Sequence, residues 1–253
     1  MLFLRKKHRK RGKFMKNNDV KFTLPMLEAP RTMRILFRKV GNLQYISHLD
    51  LQRTFSRVLV RAGLPLWYTK GFNPHIKMVF GMPLSVGAES ECEMLDVRIE
   101  REMSAAEMQE RLNAELTDEL RVQEVYPAER KFSEIAYAAY DFTIRTTDAD
   151  AAMVERINAA LAAPGLTVTR RTKSGEKEVD IKEFLQSATA TLEGELIRIS
   201  AVLAAGEGRY LSPELVITAL RNHVGILCGD LTKESYRILR RRVLLGDGRT
   251  TFR

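Results

Sequence analysis

Between Met33 and Tyr126 the apolar pattern divides into six successive segments, and that order of segments constrains the fold more than any other feature of the chain. Met33–Val40 (MRILFRKV) alternates as a strand, and Gly41-Asn42 supplies a turn. Ser47 followed by Asp50 reads as a helix N-cap. Leu51, Phe55, Val58, Leu59 and Ala62 then recur at helical spacing up to Gly63, a natural stop. A strand is predicted at Leu66–Thr69 and another at Met94–Glu100. A capping box at Ser104–Glu107 opens a helix to about Leu116, and Leu120–Tyr126 closes the unit as a strand. The order β-α-β-β-α-β predicts a ferredoxin-like domain over 33–127.

After a linker at 128–136, the same logic gives a strand at Ala138–Thr146 and a helix at about Asp148–Ala163 stopped by Pro164-Gly165. A strand follows at Leu166–Arg171, then an apolar segment at Ile181–Leu185. Strands at Ala188–Leu192 and Glu195–Leu203, a helix opened by Ser212-Pro213, and a strand at Tyr236–Leu244 complete the half. The fold class is therefore α+β: a ferredoxin-like domain followed by a second, decorated ferredoxin-like α+β domain at 137–245. Residues 246–253 are read as a tail, and residues 1–32 as a basic disordered extension or the product of a start codon ahead of Met33.

The charge is concentrated at one end. Of the formal net charge of +9, most comes from Arg5, Lys6, Lys7, Arg9, Lys10, Arg11, Lys13, Lys16 and Lys21, opposed only by Asp19, so the remainder is close to neutral. Such an arm can bind RNA by neutralising phosphates. No apolar run reaches the roughly 20 residues of a membrane span. The two cysteines, Cys92 and Cys228, form no CxxC or Cys/His ligand set, which favours a reducing cytoplasm.

The stretch Trp67–Asp96 holds the chemistry-bearing residues, with Gly71, Gly81 and Gly87 and Pro74 and Pro83 shaping its backbone. It matches neither GxxxxGK[ST] nor GxGxxG, which argues against a nucleotide hydrolase. Trp67, Tyr68, Phe72 and Phe80 interleave with Lys70 and Lys77, a composition suited to base stacking beside phosphate contacts. Arg53, Arg57 and Arg61 at i, i+4, i+8 make one stripe on the first helix, either a phosphate-tracking surface or a solvated face. His48 and His75, with Lys70, Tyr45 and Tyr68, would suit metal-independent RNA cleavage; the bland alternative has each histidine hydrogen-bonded locally. Glu89, Glu91, Glu93 and Asp96 invite a metal reading, but no histidine joins them.

YISHLDLQRTFSRVLVRAGLP (45–65), GFNPHIK (71–77) and FGMPLSVGAESECE (80–93) resemble an uncharacterised bacterial family described as radical-SAM-linked or radical-SAM-associated, which carries a domain of unknown function. The resemblance spans about residues 33–240; Thr69 stands where Ser is commoner. It implies a radical SAM protein as partner and, from a gene neighbourhood shared with a ribonuclease of the E/G type, an RNA or ribosome-related substrate. This chain has no CxxxCxxC, so the Fe–S cluster and S-adenosylmethionine are expected only in that partner. The resulting expectation is a non-catalytic adaptor binding substrate through a groove lined by Tyr45, His48, Asp50, Lys70, Asn73, His75 and Lys77, with Arg53 and Arg57 as phosphate contacts if they face it. One alternative is an endoribonuclease using His48, His75 and Lys70, similar to the CRISPR RNA endoribonucleases in its expected fold. Another is a protein-interaction module with no nucleic-acid role.

Overall fold

The computed structural model describes residues 24–172, 175–230 and 232–253. It is mixed α+β, with one large mixed sheet and four α-helices among the described residues. The first half runs β1 (Met26–Lys39), α1 (His48–Arg61), β2 (Met78–Phe80), β3 (Ala88–Arg101), α2 (Ala105–Asn113) and β4 (Leu120–Pro127). The second runs β5 (Tyr137–Arg145), α3 (Ala151–Ala162), the hairpin β6 (Thr167–Thr172) and β7 (Gly175–Asp180), β8 (Leu185–Glu193), β9 (Leu196–Gly206), β10 (Arg209–Tyr210), α4 (Glu214–Val224) and β11 (Ser235–Leu244).

The local stop and start signals act as their chemistry dictates. The Ser47 hydroxyl accepts from the Asp50 amide at 3.1 Å, and Ser104 does the same for Glu107 at 3.1 Å, each satisfying an amide that the helix leaves without a partner. Gly63 ends α1 at φ +67°, a left-handed turn that favours glycine.

Nine strands form the main sheet in the order β10-β9-β5-β11-β3-β1-β4, with β2 on β3 and β8 on β9. Each half thus contributes four principal strands, in the orders β4-β1-β3-β2 and β11-β5-β9-β8. They are joined where β11 pairs in parallel with the start of β3, Ile238 opposite Ala88 and Arg240 opposite Ser90. The far end of β3 pairs instead with β2, Met78 opposite Val97. Helices α1 and α2 pack on Ile35, Phe37, Leu95, Val97 and Ile99; α3 and α4 pack on Tyr140, Phe142, Ile144, Ile197 and Ile199. Because Phe37 and Lys39 share a face of β1, and Lys39, Ser90, Arg240 and Tyr140 are successive lateral partners, both helix pairs lie on one side of the sheet.

Several expectations are corrected. Residues 24–32 are not disordered: β1 starts at Met26, and the Leu24 and Pro25 carbonyls accept from Arg101 and the Glu102 amide at 2.8 and 2.9 Å. Residues 1–23 lie outside the described residues. Leu66–Thr69 forms only isolated bridges, Leu66 to Ile99 and Tyr68 to Ile76, and Met78–Phe80 takes the edge position instead. Strand β3 starts at Ala88, not Met94, because Glu89 and Glu93 face inward and hide the alternation. The segment 128–136 and the tail 246–253 are packed, not loose. Arg34 lies over the adjoining rings of Phe132 and Phe252, 4.1 and 4.9 Å from their centroids, while gripping Asp96 at 2.7 and 2.9 Å. Those rings cover the helix-free face of the sheet beside Leu36 and Met94, and Phe252 and Ile135 are buried.

Candidate functional site

Helix α1 and the loop that precedes β2 form one surface. The ring of His48 meets Phe80 edge-on at 5.0 Å, and the Ser56 hydroxyl approaches Met78 Sδ at 3.9 Å, so β2 runs antiparallel to α1. The segment before β2 therefore lies toward the C-terminal half of the helix. It is a small hairpin closed by the Tyr68–Ile76 bridge and by the Thr69 amide donating to the His75 carbonyl at 2.9 Å. At its tip Gly71 takes φ +136°, a conformation that side chains other than hydrogen rarely adopt. Phe72 is fully exposed, at 113% of its reference area, and Lys70, Asn73, His75 and Lys77 are exposed around it.

Phe72 thus presents its whole ring to solvent. The cations of α1 and of the hairpin differ in their partners. Arg53 meets Asp50 at 3.3 Å and Arg61 meets Glu115 at 2.7 Å. Among the described residues, Arg57, Lys70 and Lys77 have no carboxylate within 4.0 Å. The surface thus offers free positive charge and free aromatic area together.

The two histidines are not brought into one constellation. His75 keeps its partners inside the hairpin: Nδ1 lies 3.0 Å from Thr69 Oγ1 and 3.2 Å from the Asn73 carbonyl, and its amide donates to Thr69 Oγ1 at 3.1 Å. His48 instead packs on Phe80. Asp50 accepts from the Ser47 hydroxyl, which with Arg53 holds its carboxyl below the usual range. Tyr45 stands apart from the hairpin, lining a cleft between the two halves. Of the seven residues expected to line one groove, Tyr45 lies in a different cleft from the α1–hairpin surface.

The acidic run of the signature stretch is resolved differently from a metal site. Each carboxylate is taken by an arginine: Glu89 by Arg237 at 2.6 Å, Glu91 by Arg241 at 2.7 Å, Glu93 by Arg240, and Asp96 by Arg34 at 2.7 Å. Three of these arginines sit on β11, so the pairs clasp the two halves of the sheet. At the centre lies a row that sequence reasoning missed, Lys39, Ser90, Arg240 and Tyr140, each 2% exposed or less. Lys39 Nζ donates to the carbonyls of Ala88, Leu43 and Gln44 at 3.2 to 3.4 Å, and Arg240 Nη2 donates to the Met82 carbonyl at 2.8 Å. Arg240 Nη1 and the Tyr140 hydroxyl have no partner among the described residues.

Burial pushes the Lys39 ammonium below its ordinary pKa, with Arg240 acting in the same direction and Glu93 against both. Burial also drives the Cys92 thiol up to about 11, which removes it as a nucleophile at neutral pH. The row is closed to solvent and fixes Met82 and Ala88, the two ends of the loop between β2 and β3. Its sequence signal was a charge at an inward strand position, Lys39 after Ile35 and Phe37, and Glu93 before Leu95.

The profile of a family described as "Uncharacterized protein conserved in bacteria (DUF2344)" matches residues 32–213. No curated protein matches the chain. Among solved structures, a chain of a Cbf5–Nop10–Gar1 complex is 12% identical with a TM-score of 0.45, covering 83% of this chain and 48% of that one; this chain spans about half its length. An unknown protein from Galdieria sulphuraria is 11% identical with a TM-score of 0.26, over 84% and 99% of the two chains. A heavy metal efflux pump is 10% identical with a TM-score of 0.23, over 88% and 30%. No described helix is long and apolar enough to cross a membrane.

Proposed function

We propose, for a chain that belongs to this family of uncharacterised bacterial proteins (DUF2344), that it is a non-catalytic cytoplasmic adaptor holding single-stranded RNA, or an RNA segment of a ribosome-related substrate, for a radical SAM enzyme. The observation that carries the RNA part is a wholly exposed Phe72 on a hairpin that also carries Lys70 and Lys77, which with Arg57 of α1 have no carboxylate partner among the described residues. An unstacked base can lie on such a ring while neighbouring phosphates meet the cations, a mode that tolerates sequence. The strand orders β4-β1-β3-β2 and β11-β5-β9-β8, each with two helices on the same face, support reading the halves as two ferredoxin-like units. The radical SAM partner follows from the resemblance in the signature motifs alone, and any Fe–S or S-adenosylmethionine chemistry belongs to that partner.

The endoribonuclease reading needs His48 and His75 to reach one scissile phosphate, and their separate partners argue against it. Titration of the full chain with a fluorescent single-stranded RNA tests the proposal. Phe72→Ala should weaken binding by roughly 5- to 150-fold, the range of one stacked base. His48→Ala and His75→Ala should leave the RNA as intact as the wild-type protein leaves it. Wild-type affinity for Phe72→Ala would refute the stacking role, and cleavage abolished by either histidine change would promote the nuclease.

A further inference from the structure

The cleft at Tyr45 belongs to neither half alone. Its first wall is the turn Gly41–Tyr45 together with Gly87, whose amide donates to the Gln44 carbonyl at 2.8 Å. Its second wall is Arg221 near the end of α4, Leu227, and Ser235 and Tyr236 at the start of β11. The volume is about 350 Å³, at the small end of ligand sites and right for one planar group with its substituents rather than a chain of them. Two large aromatics stay exposed at its walls, Tyr45 at 66% and Tyr236 at 40%.

The polar groups are arranged to receive something. Gln44 spends its amide NH₂ on the Gly41 carbonyl at 3.0 Å, which leaves its side-chain oxygen as an acceptor. Arg221 is exposed and has no carboxylate within 4.0 Å among the described residues. Glu234, the one acid in the lining, is turned to its own loop: it accepts from Thr146 Oγ1, the Thr147 amide and the Gly229 amide at 2.7 to 2.8 Å. The backbone at Leu227 is held at φ +55°, an unfavourable conformation for leucine, by its amide donating to Thr146 Oγ1 at 2.8 Å. Leu227, the two exposed tyrosines and Arg221 thus line one cleft.

We infer that this cleft takes a single unstacked nucleobase between or against Tyr45 and Tyr236, with the attached phosphate on Arg221. The inference rests on the RNA reading and names where one particular base is held. Tyr45 precedes α1 by three residues, so a strand leaving the cleft can run along the Arg53/Arg57 side of that helix, about 21 Å long, toward the hairpin. A free nucleotide has the same chemistry, and the assay separates the two sources.

The test uses the full chain and a single-stranded RNA ten nucleotides long carrying one 2-aminopurine, with AMP as the second probe. Tyr45→Ala and Tyr236→Ala should each weaken RNA binding by about 10-fold or more and abolish the quenching of 2-aminopurine, with unchanged melting temperatures because both rings are exposed. Arg221→Gln should weaken binding without removing the quench. Wild-type affinity and quenching in both tyrosine variants, while Phe72→Ala weakens binding, would overturn the cleft and leave the hairpin reading standing. The reverse pattern would sink the hairpin and keep the cleft. AMP binding that is lost in the tyrosine variants, with RNA affinity unaffected, would overturn the RNA strand as the source.

Discussion

Replacing Glu93 by glutamine removes the charge at the centre of the buried row while keeping its shape. The side-chain oxygen still faces Arg240 Nη2, but Lys39 and Arg240 then share a buried space whose other acid, Glu89, is already engaged by Arg237. Breaking a buried pair by removing one partner costs about 3–5 kcal/mol. For a folded body of this size each kcal/mol shifts Tm by about 2–4 °C, so a fall of roughly 6–20 °C at neutral pH is expected. The response to pH is the sharper signature. Lys39 has a folded pKa below its unfolded value, so between the two the unfolded chain binds more protons and stability rises with pH. Loss of Glu93 removes the largest opposing interaction and widens that window downward. Thermal melts of both proteins from about pH 7 to about pH 10 should therefore show stability rising with pH more steeply in Glu93→Gln than in the wild type, so that the variant recovers part of its deficit. A Tm loss of less than about 2 °C, or the same pH slope in both proteins, would refute the claim that this row is an ionic clasp.

Three further outcomes are expected. Phe252→Ala should cost about 3–5 kcal/mol by urea denaturation, since the ring is buried against Phe132 and Arg34; a change below about 1 kcal/mol would mean residues 246–253 are a tail after all. Backbone and side-chain donors from Thr147 and Thr146 hold the Glu234 carboxyl at about 2, and Thr250 and Arg249 hold Asp247 at about 2. Both are depressed, so their stabilisation is complete above the ordinary carboxylate range and is lost as pH falls toward 2; acid melts should show Glu234→Gln less sensitive to pH there than the wild type. Gly63→Ala forces a side chain into φ +67° and should cost about 1–2 kcal/mol by the same urea measurement, whereas a neutral change would remove Gly63 as the stop of α1.

What could be read from the residues was what is decided locally. The caps at Ser47 and Ser104 and the stop at Gly63 depend on neighbours three or four positions apart, and they lie where their spacing puts them, whereas the strand expected at Leu66–Thr69 gives way to Met78–Phe80. Lateral pairing depends on residues about 150 positions apart, and nothing near Glu93 announces Arg240. Hence the acids of β3 invited a metal reading, although each carries an arginine from another strand. The same blindness turned residues 246–253 into a tail, because a lone Phe252 in a polar segment has no periodicity to reveal that it is buried. The exposure of the GFNPH segment followed from its polar, turn-rich composition. That Tyr45 faces the second half did not, because its cleft exists only once β11 joins β3.

The adaptor account stands or falls on whether the α1–hairpin surface contacts phosphates. The most direct measurement is the salt dependence of single-stranded RNA binding by the wild type and by the triple variant Arg57→Ala/Lys70→Ala/Lys77→Ala, both carrying the same basic residues 1–21 so that the arm cancels in the comparison. The account predicts weaker binding by the variant and a log–log salt slope smaller in magnitude by about 2, near 0.7 for each lost phosphate contact. Identical affinity and slope in the two proteins would contradict it, and would assign any RNA binding to the arm alone.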